Sequence, residues 1–206
     1  NGIKIFLGHS NLKLLPEDDK RLTQRCLNLD YEEIRTKTPI GKLINEHQQA
    51  RDLFIDFVSD QANNWLQKEL MNEVTVIVDA ANGAFSHLVK DLLNYEGCKI
   101  EFINCDPSQG INSCSGVADL EGVSVIKADE ILNGPFEENK ALRRILSIGR
   151  EHSFTHQNRL NMVFGFVFDG DGDRCFLLYY DPFMDQIRVL GGDFQAFLQA
   201  RLMNKR

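Results

Sequence analysis

Short apolar runs separated by polar turns dominate the chain after residue 73. Five runs rich in β-branched and aromatic residues predict strands, and they cover residues 74–78, 98–104, 162–168, 175–180 and 186–190. Between the first two runs, apolar positions from Phe85 to Leu93 recur at helical spacing and end at Gly97. A strand, a crossover helix and a second strand together predict a parallel β-α-β unit.

Helical spacing recurs in further stretches. From about Leu43 to Leu70 the apolar positions form one wide face, which we expect to pack in a core. Another helix is predicted around Leu142, and a third opens after Gly191-Gly192-Asp193. The alternation of strands and helices predicts an α/β protein with a mixed, mainly parallel sheet flanked by helices.

Composition narrows the class of protein. The 206 residues are 43% hydrophobic and 26% charged, which is ordinary for a globular protein, and the net charge of −7 argues against a nucleic-acid partner. No run approaches the roughly 18 apolar residues of a membrane span, and no export signal is apparent, so we expect no membrane association. The five cysteines include no Cys-x-x-Cys pair, which favours reduced thiols and a cytoplasmic location.

One stretch concentrates candidate chemistry. Asp169, Asp171 and Asp173 alternate with glycines, and Arg174 follows them between two predicted strands. Three carboxylates this close repel each other unless a positive charge holds them together. Because all three offer oxygen ligands, a hard divalent cation is the natural candidate.

Three other interpretations of this acidic loop are considered, of which one is excluded and two remain open. An EF-hand is excluded, because its sixth position, a glycine, is Arg174 here and its twelfth, a glutamate, is Tyr180. A tight turn without a ligand remains open, since Asp-Gly pairs suit hairpins. An Asp-x-Asp site for the metal of a nucleotide-sugar diphosphate, as in a nucleotide-sugar transferase, also remains open.

Two further features have simpler explanations. The turn after the strand at 74–78, residues 79–84, contains one glycine and lacks the Gly-x-Gly-x-x-Gly pattern of dinucleotide loops, so Asp79 and Asn82 are expected to cap the helix or fix the turn. His152 and His156 have helical i, i+4 spacing, but no neighbouring ligand pattern supports a metal, so we expect solvated histidines.

The sequence Asp-Gly-Asp-Gly-Asp-Arg at 169–174, after an apolar strand, resembles the metal-binding loop of the α-D-phosphohexomutases, which include phosphoglucomutases, phosphomannomutases and phosphoglucosamine mutases. Residues 76–84 look like the opening of that family's second domain, and 191–193 look like the entry to its third. Residues 1–6 are similar to the segment after the family's catalytic Ser-His-Asn-Pro loop. The resemblance therefore covers nearly the whole chain.

The resemblance implies roles for five residues. Asp169, Asp171 and Asp173 would bind Mg²⁺, with a phosphoserine oxygen as a further ligand. Arg174 would lie near the phosphate, and Lys4 would act as general acid/base on a sugar hydroxyl of the hexose phosphate substrate. The reaction implied is an intramolecular phosphotransfer, an isomerisation in which the phosphoserine and a hexose bisphosphate link hexose 1-phosphate to hexose 6-phosphate.

The same resemblance predicts a central fragment of a longer enzyme. Residues 1–42 would be the tail of a first domain, 43–183 a second domain with the metal loop, and 184–206 the start of a third. No Ser-His-Asn-Pro occurs, so the chain alone is expected to be inactive. The alternative from another class is a non-catalytic module that binds a metal or a sugar phosphate. Residues 110–116 resemble a segment of phosphoglucosamine mutases, but too faintly to identify which hexose phosphate is the substrate. Residues 118–162 are expected to hold an insertion.

Overall fold

The computed structural model describes residues 5–8, 12–32, 35, 41–42, 44–60, 74–93, 98–155 and 163–204. The chain divides into two compact units, Asn1–Glu46 and His47–Arg206. In the first unit, helix α1 (Pro16–Leu27) begins at a proline, whose fixed φ suits the first helical turn. Three acidic residues follow in that turn, where they complement the positive end of the helix dipole.

The second unit combines six strands with six described helices. The strands are β1 (Thr75–Asp79), β2 (Lys99–Ile103), β3 (Val125–Lys127), β4 (Val163–Phe168), β5 (Cys175–Asp181) and β6 (Gln186–Leu190). The helices are α2 (His47–Ser59), α3 (Val89–Leu92), α4 (Gly116–Leu120), α5 (Ala128–Leu132), α6 (Lys140–Thr155) and α7 (Gly192–Met203). Short 3-10 helices cover Ala84–His87 and Pro107–Gln109.

All six strands form one mixed sheet in the order β2-β1-β4-β5-β6-β3. The predicted α/β class and mixed sheet are confirmed. The parallel share is smaller than predicted: β1 pairs parallel with β2 and β4, whereas β4 with β5, β5 with β6, and β3 with β6 are antiparallel. Short turns join β4 to β5 and β5 to β6, and a short turn can connect only antiparallel neighbours.

Apolar side chains cover both faces of the sheet. Every residue of β1 is buried, so the strand supplies both cores. Ile77 faces the larger cluster, in which the sheet packs against α4, α5 and the apolar stripe of α6. Val76 and Val78 face the smaller cluster, which includes Val89 of α3. Because β1 and β4 lie in the middle of this sandwich, the loops that follow them are held on a rigid base.

The predicted core face of the helix at 43–70 is not formed by its described part. α2 has no buried residue, and Leu53, Phe54 and Phe57 are 64%, 43% and 65% exposed. Apolar residues at helical spacing show only that a helix has an apolar face, not that this face is buried. In this fold the buried apolar face belongs to α6, whereas that of α2 is exposed. Residues 61–73, the rest of that prediction, lie outside the described part of the chain.

The predicted domain boundary at residues 183 and 184 stays a prediction. β6 follows this boundary and pairs with β5, and Gln195 of α7 donates hydrogen bonds to the carbonyl groups of Cys175 and Leu190.

Among the described residues, no helix has both the length and the apolar character needed to cross a bilayer.

Candidate metal centre

The acidic loop, residues 169–174, connects the end of β4 to the start of β5, the two central strands of the sheet. Asp169 is 5% exposed, whereas Asp171 and Asp173 are exposed. Carboxylate oxygens of the three residues lie within 4.8 Å of one another. The structure therefore brings the three predicted ligands together, with one of them anchored in the protein and two facing solvent.

Hydrogen bonds across the loop fix its conformation. The Asp169 N–H donates to the carbonyl of Arg174 at 3.3 Å, and the Gly172 N–H donates to the carbonyl of Asp169 at 3.1 Å. The Asp169 carboxylate accepts from the backbone N–H of Arg174 at 3.1 Å and from its Nε at 2.8 Å. Arg174 Nη1 also reaches Glu121 at 3.5 Å. The loop is thus closed on itself before any ligand is considered.

Electrostatics keep Asp169 ionised. Burial raises the pKa of this carboxyl, but the two hydrogen bonds and the positive charge from Arg174 outweigh burial and hold the pKa below its ordinary value. An ionised carboxylate is the form that ligates a metal.

The donor set fits Mg²⁺. All three groups are carboxylates, which a small hard cation prefers over nitrogen or sulfur ligands. Mg²⁺ keeps several waters and takes few protein carboxylates, so two exposed groups beside a buried one suit it.

Two neighbouring loops contact the acidic loop at its glycines. The Gly170 carbonyl accepts a hydrogen bond from the Ala84 N–H at 2.9 Å. A Cβ at Gly83 would overlap that same carbonyl group, so no larger residue fits there. On the other side, a Cβ at Gly170 would lie 2.5 Å from Cγ2 of Ile111. Gly170 is therefore clamped between residues 83–84 and residue 111.

Asp79, the last residue of β1, ties these two neighbouring loops together. Its side chain is fully buried, with Oδ1 accepting from the Ala81 N–H at 2.8 Å and Oδ2 from the Gly116 N–H at 3.1 Å. Burial raises the pKa of Asp79, and the same two N–H groups oppose that shift. Asp79 thus fixes the turn, as predicted, while the following 3-10 helix has no side-chain cap.

Backbone strain concentrates around the same contacts. Ala81 has φ 53°, a left-handed conformation that costs a residue with a Cβ roughly 1–2 kcal/mol. Gly116 has φ 76°, and a Cβ there would lie 2.5 Å from the Cβ of Ala81 and 2.8 Å from the Phe168 carbonyl. Strained residues persist where the surrounding structure over-determines them, which is typical of functional sites.

Not every predicted site residue is placed. Lys4 lies outside the described residues, so its assignment stays a prediction. Arg174 contacts Asp169 and Glu121. No pattern in the sequence marks Glu121, and the sequence predicts only a local role for Asp79. Asp79 could have been noticed as an acidic residue directly after a wholly apolar strand, which is the place where α/β proteins position ligand-binding groups.

Comparison with known proteins gives one consistent result. No family model matches the chain. It is 24% identical over 180 residues to a phosphoglucosamine mutase of Thermosipho africanus, a match that covers 86% of this chain and 32% of that protein. It is 26% identical over 178 residues to a phosphoglucosamine mutase of Corynebacterium efficiens, covering 85% of this chain and 31% of that protein.

The chain therefore spans about a third of the length of the curated relatives it matches. A phosphoglucosamine mutase of Solibacter usitatus matches over a similar extent, with 26% identity over 176 residues. These matches agree with the acidic loop at 169–174 and with the mixed α/β sheet that carries it. On these grounds the chain is similar to phosphoglucosamine mutases, which are phosphohexomutases.

Proposed function

We propose that this chain is the metal-binding part of a phosphohexomutase that interconverts a hexose 1-phosphate and a hexose 6-phosphate through a phosphoserine and a hexose bisphosphate. The observation that carries the proposal is the convergence of three carboxylates within 4.8 Å in a loop held on both sides. The names of the relatives, all of them phosphoglucosamine mutases, support the reaction class.

Asp169, Asp171 and Asp173 would hold the cation, with Asp169 as the anchored ligand because it is the buried one of the three. Bound Mg²⁺ supplies positive charge that offsets the charge on phosphoryl oxygens during transfer. The guanidinium of Arg174 is half exposed, so it can donate to a phosphate oxygen beside the loop. Lys4 is the proposed general acid/base.

This chain alone would not complete the reaction. It contains no Ser-His-Asn-Pro sequence, so the phosphorylated serine would have to come from elsewhere in a longer protein. The relatives' names favour a glucosamine phosphate as the substrate of that longer protein. A cytoplasmic location, inferred from the cysteines, is part of the same proposal.

A non-catalytic metal-binding or sugar-phosphate-binding module is the second candidate. It would use the same three clustered carboxylates. Turnover decides between the two candidates. A longer protein that includes this chain should interconvert glucosamine 1- and 6-phosphate, and a module should bind sugar phosphate without converting it. No observation on this chain favours the nucleotide-sugar transferase.

Metal titration tests the site itself. We expect this chain to bind Mg²⁺ weakly, measured by calorimetry and by competition with Mn²⁺ followed by electron paramagnetic resonance. Asp169→Asn or Asp171→Asn should weaken binding about tenfold, because each removes a charged ligand. Asp129→Asn is the matched control, since Asp129 is also an exposed carboxylate but lies in α5. Unchanged affinity in both loop variants would overturn the metal centre.

A further inference from the structure

The turn at the end of β1, residues 79–84, has no role in the reaction proposed above, yet it contacts the backbone of the acidic loop directly. The Ala84 N–H donates to the Gly170 carbonyl at 2.9 Å, and Gly83 lies against the same carbonyl. Gly170 separates two of the proposed ligands in sequence. A displacement of the turn would therefore move the backbone that carries Asp169 and Asp171.

Asp79 determines where this turn lies. Its Oδ1 accepts from the Ala81 N–H at 2.8 Å, which holds Ala81 in its left-handed conformation. Among the described residues no lysine or arginine pairs with the buried Asp79 carboxylate. Its partners are the N–H groups of Ala81 and Gly116, and the Asn104 side chain also favours its ionised form. A buried carboxylate is costly unless it is fully hydrogen-bonded. Asp79 consequently constrains the backbone rather than balancing a charge.

The second oxygen of Asp79 extends this control to the other side of the acidic loop. Oδ2 accepts from the Gly116 N–H at 3.1 Å, and Gly116 packs against the Phe168 carbonyl, immediately before Asp169. The Ala81 carbonyl accepts from the Asn112 N–H at 2.9 Å, next to Ile111, which touches Gly170. One side chain thus holds both walls that enclose Gly170.

We propose that Asp79 is a positioning residue for the metal centre, acting through Gly83, Ala84 and Gly116 on the backbone of the acidic loop. Asp79 itself is fully buried and is not one of the three clustered carboxylates. The inference rests on the proposed metal site. It predicts that metal affinity depends on a residue of a different strand, about ninety positions earlier in the sequence.

The test measures Mn²⁺ affinity in the 206-residue chain by electron paramagnetic resonance, together with thermal unfolding. Asp79→Asn replaces one acceptor oxygen by an NH₂ group facing a backbone N–H, and we expect affinity to fall about tenfold. Gln186→Ala is the control for general destabilisation. Gln186 is also buried, and it donates to Asp181, which lies at the end of β5 away from the acidic loop. It should lower the melting temperature without changing Mn²⁺ affinity.

Gly83→Ala provides an independent test in case Asp79→Asn fails to fold. Its backbone is extended, with φ −93° and ψ −168°, so alanine adds no backbone strain of its own, and its Cβ would force the Gly170 carbonyl to move. We expect this variant, too, to bind Mn²⁺ about tenfold more weakly. Normal affinity in Gly83→Ala, or in a folded Asp79→Asn protein, would overturn the positioning role.

Asp169→Asn separates failure of this inference from failure of the proposed function. If Asp169→Asn abolishes Mn²⁺ binding while Asp79→Asn and Gly83→Ala bind normally, the metal site stands and only the positioning role is wrong. If Asp169→Asn binds Mn²⁺ like the unmodified chain, the metal site is wrong, and the positioning role falls with it.

Discussion

Both carboxylate oxygens of Asp169 accept hydrogen bonds from Arg174, one from its backbone N–H at 3.1 Å and one from its Nε at 2.8 Å. A proposed phosphate-binding residue therefore neutralises a proposed metal ligand. Under the proposed function the two roles are coupled, because a cation ligated by Asp169 would compete with the guanidinium of Arg174 for Oδ2. Whatever draws Arg174 toward a phosphate group would also free Asp169 for the metal.

This coupling predicts opposite effects of Arg174→Gln on binding and turnover. Removing a positive charge beside the site should strengthen Mn²⁺ binding to this chain about fivefold, which corresponds to roughly 1 kcal/mol of relieved repulsion. In a longer active protein, the same change should lower turnover, because the phosphate loses a donor. Arg143→Gln is the control, since Arg143 donates to the Glu137 carbonyl away from the loop. Weaker Mn²⁺ binding in Arg174→Gln would contradict the coupling.

Lys4 is predicted to act on protons and not on the metal. Lys4→Ala in a longer, active protein should reduce turnover by about 10²–10⁴-fold, the usual contribution of a general acid/base. Mn²⁺ affinity should be unchanged. Lys13→Ala is a suitable control because Lys13 follows nine positions later in the sequence and has no assigned role. Turnover of Lys4→Ala at the unmodified rate would remove Lys4 from the active site.

The ion pair between β2 and α6 predicts acid sensitivity. Arg144 donates to Glu101 from Nε at 2.6 Å and from Nη2 at 2.8 Å, and chiefly this bonding lowers the pKa of Glu101 from 4.5 to about 2. Because the folded pKa lies below the unfolded value, the pair stabilises the fold above pH 4.5 and this contribution is lost as the pH falls toward 2.

Glu101→Gln should therefore cost about 1 kcal/mol of unfolding free energy at pH 7, a modest amount because Arg144 is partly exposed and screened. The difference between the variant and the unmodified chain should shrink as the pH falls through this window, as measured by urea unfolding at several pH values. A difference that is the same at pH 7 and pH 3 would show that the pair contributes nothing through ionisation.

Cysteine reactivity should follow burial. Burial raises the pKa of Cys175, the residue after Arg174, to about 12. Cys26 is exposed on α1. We expect iodoacetamide at pH 8 to alkylate Cys26 at least about 100-fold faster than Cys175, because only the thiolate reacts and access is limited. Peptide mass mapping over time measures both rates, and urea should abolish the difference. Equal rates in the folded chain would contradict the burial of Cys175.

Much of the local structure was predictable from the sequence. The runs before and after the acidic loop form β4 and β5, and the run at 186–190 forms β6 with the same bounds. These predictions succeed because a buried strand needs apolar side chains within a few consecutive positions, and a turn needs its special residues between them. The clustering of the three aspartates was predictable as well, because one short loop carries all of them.

The sequence by itself thus determined the strands, the α/β class and the three carboxylates of the candidate site. Only the tertiary structure decided which loops enclose that site, because Gly83, Ile111 and Gly170 meet only once β1 and β4 are paired as neighbours. The same holds for α2, whose apolar stripe is evident in the sequence but exposed in the fold. The spacing of apolar residues shows which side of a helix or strand is apolar. Whether that side is buried, and against which element, depends on contacts between residues far apart in the sequence.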